Sequence, residues 1–138
     1  MSQAPFNQAA ALVHAIPAVA EWLSKAVGDL QVAERELAVT ARPNYDAICF
    51  HAQQAAEKLM KAFLEAKGHR PPKVHDLVHL DTLLRRIAPA WSFSISELSN
   101  LSSSAVESRY PGTTATRVQA EEAMDIATRL WVALRPLV

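Results

Sequence analysis

The stretch from Tyr45 to Ala66 constrains the fold more than any other part of the sequence. Apolar residues recur there every three or four positions, at Ile48, Ala52, Ala55, Leu59, Ala62 and Ala66, with Phe63 beside them. This spacing places them on one face of an α-helix. Asn44 is suited to cap the start of such a helix, and Gly68 is suited to end it. The sequence therefore predicts a long amphipathic helix with one buried face.

Four further helices are predicted by the same kind of spacing, with prolines marking the breaks between them. The first covers about residues 18–38, and the second runs from near Val74–Asp76 to before Pro89. The third covers about residues 94–106, and its residues predicted to face the core are Ile95, Leu98, Leu101 and Ala105. The fourth covers about residues 114–134, and its residues predicted to face the core are Val118, Ala123, Ile126, Leu130 and Leu134. No segment alternates with the two-residue period of a half-buried strand, and only 3 of the 138 residues are glycine. We predict an all-α, up-down bundle of about five helices.

The length of 138 residues fits a single domain. We assign residues 1–17 to an N-terminal extension or short helix and residues 18–138 to the helical domain. The sequence has no signal-peptide pattern and no run of about 18 apolar residues, so we expect a cytoplasmic protein. The single cysteine, Cys49, lies in an apolar stretch and reads as a small buried hydrophobe. No zinc spacing or glycine-rich phosphate loop occurs, so we expect no metal and no cofactor.

The charges of the whole chain balance, since Lys and Arg number 14 and Asp and Glu also number 14. A domain that coats nucleic acid usually carries a basic excess. A local excess of three does exist in residues 42–73, which contain Arg42, Lys58, Lys61, Lys67, Arg70 and Lys73 against Asp46, Glu57 and Glu65. A patch of this size is suited to the phosphates of a nucleotide and is thin for a long duplex.

The second predicted helix carries three candidate ligand contacts. Lys58 and Lys61 are three residues apart, so they project from one helix face, where they either bind phosphate or form a solvated polar face. His51 lies mid-helix beside alanines. It is either a packing histidine or a group that contacts phosphate or transfers a proton near neutral pH.

Two loops carry the remaining candidates. His75 opens the third helix and either caps it or holds a phosphate together with Arg70 and Lys73. Arg109 and Tyr110 precede a Pro-Gly turn. The arginine fork is suited to phosphate and the tyrosine ring to stacking on a base, although a carboxylate on a neighbouring helix could equally pin this loop.

Three stretches of the sequence resemble the HEPN family, the higher-eukaryote and prokaryote nucleotide-binding domains. The string Tyr45–Lys58 resembles the second helix of these domains, and Pro71–Leu77 resembles their loop and the entry to their third helix. Arg109–Gly112, followed by Ala120–Ala123, resembles the loop and start of their last helix. With the preceding helix, the resemblance covers nearly the whole chain and implies the HEPN bundle.

The resemblance implies several functions, because the family includes nucleotide-associated accessory domains, partners of small nucleotidyltransferases and metal-independent ribonuclease toxins. The ribonucleases carry an Arg followed four to six residues later by His, near the later helices and paired across a dimer. Here no His follows Arg109, and the literal match from Arg70 to His75 lies in an earlier loop.

The main hypothesis is therefore a homodimeric, non-catalytic domain that binds a nucleotide or nucleic-acid phosphate as the accessory partner of a small nucleotidyltransferase. A first alternative is the ribonuclease toxin of a toxin–antitoxin pair, with Arg70 and His75, or His51 and Arg109, at its active site. A second alternative is a plain dimerisation or scaffold domain.

Overall fold

The computed structural model describes residues 17–138, which form five α-helices and a closing 3-10 turn. The helices are α1 (Pro17–Leu37), α2 (Tyr45–Ala66), α3 (Leu77–Ile87), α4 (Ile95–Glu107) and α5 (Arg117–Leu134), and the turn covers Arg135–Leu137. No strand occurs within residues 17–138, so the prediction of an all-α bundle is confirmed. The extension or short helix assigned to the N-terminus lies, except for Pro17, outside the described residues.

The second helix, α2, is the centre of the bundle. It contacts each of the other four helices and packs most extensively against α1. Its apolar stripe is buried as predicted except at Ala66, which is partly buried, and Leu59 and Phe63 are each at most 1 % exposed. Cys49 is also fully buried. A polar side chain on this helix is therefore either covered by a neighbouring element or directed into a gap between elements.

Local signals in the sequence fix both ends of α2. At the start, the Asn44 side chain accepts a hydrogen bond from the Ala47 amide at 3.0 Å. At the end, Gly68 adopts φ +78°, a left-handed conformation that glycine favours. The Gly68 amide then donates to the Glu65 carbonyl at 3.0 Å and the His69 amide to the Leu64 carbonyl at 2.9 Å. This pair of bonds is a Schellman motif, and both predicted ends are confirmed.

Two residues predicted to face the core are exposed instead. Val118 is 62 % exposed and Ile95 is 52 % exposed, so both assignments were wrong. Val118 is out of phase with the buried stripe of α5, which runs through Ala120, Ala123, Ala127, Leu130 and Leu134. Ile95 is in phase with its stripe, but it is the first residue of α4 and lies at the margin of the core.

Two helices begin later than their predicted positions because side-chain caps set their starts. Thr116 and Gln119 form a capping box, with each side chain bonded to the backbone amide of the other residue, so α5 begins at Arg117. Asp76 accepts from the Val78 amide at 3.0 Å, so α3 begins at Leu77. His75 is consequently a loop residue directly before the cap.

A buried carboxylate fastens α3 to the segment that leads into α4. Asp81 is 1 % exposed and accepts from the Trp91 indole nitrogen at 2.7 Å and from Arg85 Nε at 2.6 Å. Arg85 Nη2 also donates to the Phe93 carbonyl at 2.8 Å. These bonds set where α4 starts relative to α3. None of the helices in residues 17–138 is both long and apolar enough to cross a bilayer.

Candidate functional site

A cleft of about 650 Å³ lies where α2, the loop before α3 and the C-terminal half of α4 meet. Its lining includes Phe50, Gln53, Gln54, His75, Ser102 and Arg109. Two carboxylates, Asp76 and Glu107, also line it. The cleft therefore combines an aromatic ring, amides, hydroxyls and one arginine with two acids. With one arginine against two carboxylates, the cleft is not a basic groove, and much of its lining surface is apolar.

A row of buried polar side chains on α2 supports one wall of this cleft. Gln53, Glu57 and Lys61 follow one another at four-residue spacing, and they are only 4 %, 4 % and 5 % exposed. Lys61 Nζ lies 3.1 Å from Glu57 Oε2 and 5.5 Å from the centre of the Trp22 ring on α1. The buried ammonium thus has both a carboxylate and an aromatic face beside it, which offsets the cost of its burial.

The same row holds His75 at two points. Glu57 Oε1 lies 3.1 Å from His75 Nδ1, and Gln53 Nε2 donates to the His75 carbonyl at 3.0 Å. The His75 side chain is nevertheless 80 % exposed. An exposed histidine is thus fixed by two buried side chains of the central helix, one at its ring and one at its backbone carbonyl. Gln54 Nε2 in turn donates to Gln53 Oε1 at 2.9 Å, so both polar ends of the Gln53 amide are bonded.

The Phe50 ring joins the cleft to a second polar cluster. The Arg109 guanidinium carbon lies 5.1 Å from the centre of the Phe50 ring, within the range of a cation–π contact. The His51 ring meets the same phenyl ring edge-to-face, with centroids 5.2 Å apart at 82°. Arg109 and His51 therefore contact one common aromatic ring.

The second cluster connects α1 and α2 through one carboxylate. Asp29, whose side chain is 11 % exposed, lies 2.8 Å from His51 Nδ1 through Oδ1 and 2.5 Å from Lys58 Nζ through Oδ2. His51 and Lys58 are partly exposed, at 28 % and 21 %. Within the described residues, no group of three or more His, Cys, Asp or Glu side chains could hold a metal ion.

These contacts reduce the number of cations that the local basic excess in residues 42–73 offers to a ligand. The count treats Lys58 and Lys61 as available cations, but the first pairs with Asp29 from outside that stretch and the second pairs with Glu57 inside the protein. Lys67 lies over the Phe63 ring at 5.4 Å. Three of the six basic residues are therefore already in contact with a carboxylate or an aromatic ring of the protein.

The family assignment follows from comparison with known domains. The HEPN domain family matches residues 19–136, almost the whole described chain. The chain belongs to the HEPN family. Its fold is similar to that in the crystal structure of TT1696 from Thermus thermophilus, with a TM-score of 0.74, 23 % sequence identity, and coverage of 89 % of this chain and 100 % of that chain. No curated protein matches the sequence.

The structure separates the residues that the sequence offered as ligand contacts of this HEPN domain. His75 and Arg109 line the same cleft. Arg70 and Lys73 are exposed on the loop before α3, and Tyr110, which follows Arg109, is 64 % exposed; none of the three belongs to the lining of the cleft. The pairing of Arg70 with His75 by sequence spacing therefore has no counterpart in the cleft, whereas His75 and Arg109 converge there.

Several residues at the site of this HEPN domain were not recognised from the sequence. Gln53, Gln54 and Asp29 had no assigned role, and Glu57 counted only as one of the acids in the local charge balance. The available signal was the four-residue spacing of Gln53, Glu57 and Lys61 on a helix that is otherwise rich in alanine. Such spacing identifies a shared face, but it does not reveal that α1 and the loop before α3 cover that face.

Proposed function

We propose that this HEPN domain binds a nucleotide or a nucleic-acid phosphate in the cleft between α2 and α4, without cleaving it. The observation that carries the proposal is the position of Arg109, whose guanidinium is held over Phe50 in a cleft that His75 also lines. A guanidinium fork pairs well with phosphate oxygens, and its planar face and an aromatic ring are both surfaces on which a base stacks.

The size and charge of the cleft favour a small ligand. A volume of about 650 Å³ lies inside the range of ordinary small-molecule sites. Arg109 supplies one full positive charge, while Asp76 and Glu107 contribute negative charge to the same lining. Part of the Asp76 carboxylate is occupied as the cap of α3. A single cation suits one phosphate group with a stacked base, and the two acids oppose a long run of phosphates.

Calorimetric titration with nucleoside monophosphates and a short single-stranded RNA tests this proposal. Arg109→Gln should weaken binding by about tenfold or more, because a charge-assisted hydrogen bond is lost. The matched control is Arg86→Gln, which alters an exposed arginine of α3 that does not line the cleft. Equal weakening by both variants would reject the site, and absence of binding up to millimolar ligand would favour the scaffold alternative.

The ribonuclease alternative is favoured by one specific observation. Two histidines each have Nδ1 beside a largely buried carboxylate, His75 beside Glu57 and His51 beside Asp29. A carboxylate that orients an imidazole is the arrangement a general base uses, and Arg109 could stabilise charge on a phosphate. Cleavage of RNA without metal, abolished by His75→Ala or His51→Ala, would establish this activity and overturn the non-catalytic proposal.

The assembly of the protein belongs to the same proposal. By family resemblance, we propose a cytoplasmic homodimer that acts as the accessory partner of a small nucleotidyltransferase. Light scattering on the purified protein gives the mass of the assembly directly, and a monomer at all concentrations would contradict the homodimer. The neighbouring reading frame tests the partner, because an adjacent small nucleotidyltransferase supports a paired system.

A further inference from the structure

The attachment of His75 is unusual for an exposed side chain. An exposed histidine ordinarily makes few lasting contacts. Here Glu57 contacts the Nδ1 atom of the ring and Gln53 donates to the backbone carbonyl of His75, and both of these α2 side chains belong to residues that are about 4 % exposed. Burying a carboxylate and an ammonium costs free energy that apolar residues of similar size would not cost. The row therefore does more than fill the interior of the bundle.

The proton positions follow from the charge of Lys61. The Lys61 ammonium donates to Glu57 Oε2 at 3.1 Å, so the buried carboxylate is paired with a cation. An ionised carboxylate has no proton to donate, so in its contact with Glu57 Oε1 the neutral His75 ring must donate from Nδ1. The other ring nitrogen, Nε2, then carries a lone pair, and the 80 % exposure of the side chain leaves it open to solvent.

We propose that Lys61 is a positioning residue that, through Glu57, fixes His75 with its proton on Nδ1, so that Nε2 enters the cleft as a hydrogen-bond acceptor for the amino group of a base. The ligand part of this inference rests on the proposed nucleotide function. A phosphate oxygen would repel the Nε2 lone pair, and a hydroxyl group pairs with either form of the ring. An exocyclic amino group donates and thus requires the acceptor.

The other charged groups of the cleft fit this division of roles. Arg109 lies over Phe50 and supplies the cation for a phosphate. Asp76 bonds the Val78 amide, and Glu107 lines the side of the cleft formed by α4. Neither acid is needed to orient His75, because Glu57 contacts its ring and Gln53 donates to its backbone carbonyl from α2.

Nitrogen NMR of the His75 ring tests the first part without any ligand. At about pH 8, where a histidine is mostly neutral, the wild-type ring should carry its proton on Nδ1. In Lys61→Met the buried carboxylate loses its cation, and the cost of an unpaired buried charge favours one further proton shared between Glu57 and His75. That proton lies either on the ring, which becomes imidazolium, or on Glu57, which then donates to Nδ1. In both cases Nε2 becomes protonated.

Two comparisons make this result decisive. Lys58→Met removes a cation of the same helix that pairs with Asp29, and it should leave the His75 ring unchanged. A wild-type ring protonated on Nε2, or an unchanged ring in Lys61→Met, would overturn the proposal. The wild-type measurement needs no variant, so a proton found on Nε2 overturns the proposal even if Lys61→Met does not fold.

Paired ligands test the second part. AMP and CMP are compared with analogues that lack only the exocyclic amino group. At least one amino nucleotide should bind about three- to tenfold more tightly than its analogue, as expected for one hydrogen bond, and this ratio should fall to about one in Lys61→Met. Equal affinities in the wild type would overturn the role of Nε2 in recognition. If neither nucleotide binds but the Nδ1 proton is observed and Nε2 becomes protonated in Lys61→Met, the proposed function fails and the positioning role of Lys61 stands.

Discussion

Replacing Asp81 with alanine should destabilise the bundle strongly, because it removes the acceptor that joins α3 to the segment before α4. Asp81 is 1 % exposed and accepts from Trp91 Nε1 at 2.7 Å and from Arg85 Nε at 2.6 Å. After truncation the indole N–H stays inside the protein, since Trp91 is only 7 % exposed. Arg85 is less affected, because its side chain is 37 % exposed and it retains its bond to the Phe93 carbonyl.

The expected loss is about 3 kcal/mol in the free energy of unfolding, of which about 2 come from the unpaired indole donor and about 1 from the arginine bond that water partly replaces. Asp125→Ala is the matched control. Asp125 also pairs with an arginine four residues later, with Arg129 Nε at 2.9 Å, but its side chain is 65 % exposed. Both aspartates lie inside helices, so the gain in helix propensity on changing to alanine is the same at the two positions.

Urea unfolding followed by circular dichroism at 222 nm measures both variants without depending on the fluorescence of Trp91. Asp81→Ala should lower the unfolding free energy by at least about 2 kcal/mol more than Asp125→Ala, since an exposed pair contributes at most about 1 kcal/mol. If the two variants differ by less than about 0.5 kcal/mol, burial does not set the strength of these pairs and the reasoning is refuted.

Three further predictions concern other parts of the described chain. Burial raises the pKa of the Cys49 thiol, so a thiol reagent such as Ellman's should label it only after denaturation; rapid labelling of the native protein would contradict its position in the core. The hydrogen bond from Arg129 holds the pKa of Glu97 below its usual range, so the pair stabilises at neutral pH and its contribution is lost as the pH falls through that lowered value. The difference in melting temperature between wild type and Glu97→Gln should therefore shrink toward acid pH, and a constant difference would contradict this. Gly68→Ala should cost about 1 kcal/mol through its left-handed backbone, whereas Gly28→Ala in α1 should stabilise by about 0.5–1 kcal/mol; the same sign for both, by urea unfolding, would refute the backbone argument.

The fold was predictable from the sequence where the signals are local. The ends of α2 follow from Asn44 and Gly68, and both act as predicted. The start of α5 was set too early because the capping pair of Thr116 and Gln119 is itself a local signal that was overlooked. The inward position of Val118 was wrong for a different reason: the phase of an alanine-rich stripe depends on which neighbours pack against it.

The site was only partly predictable, because its geometry depends on contacts between distant parts of the chain. His75 and Arg109 were both named as candidates, but nothing local indicates that one cleft contains them. The sequence also could not show that Asp29 reaches Lys58 across 29 positions. A charge count within one stretch does not include such pairs, because an acid from another helix can neutralise a lysine.

The buried polar row of α2, formed by Gln53, Glu57 and Lys61, should make the protein less stable than an apolar row would, because the row serves ligand recognition. Replacing a buried ion pair by apolar residues of similar volume is often neutral or stabilising, whereas removing one partner alone is costly. We therefore expect Glu57→Leu with Lys61→Met to unfold at the same or a higher urea concentration than wild type, while Glu57→Leu alone loses about 3 kcal/mol because Lys61 is left unpaired. The double variant also releases His75 Nδ1 and should lose the preference for an amino-bearing base. If the double variant is less stable than wild type and keeps the wild-type preference for an amino-bearing base, the polar row serves packing. A row that is retained for recognition must alter ligand binding when it is removed from a folded bundle.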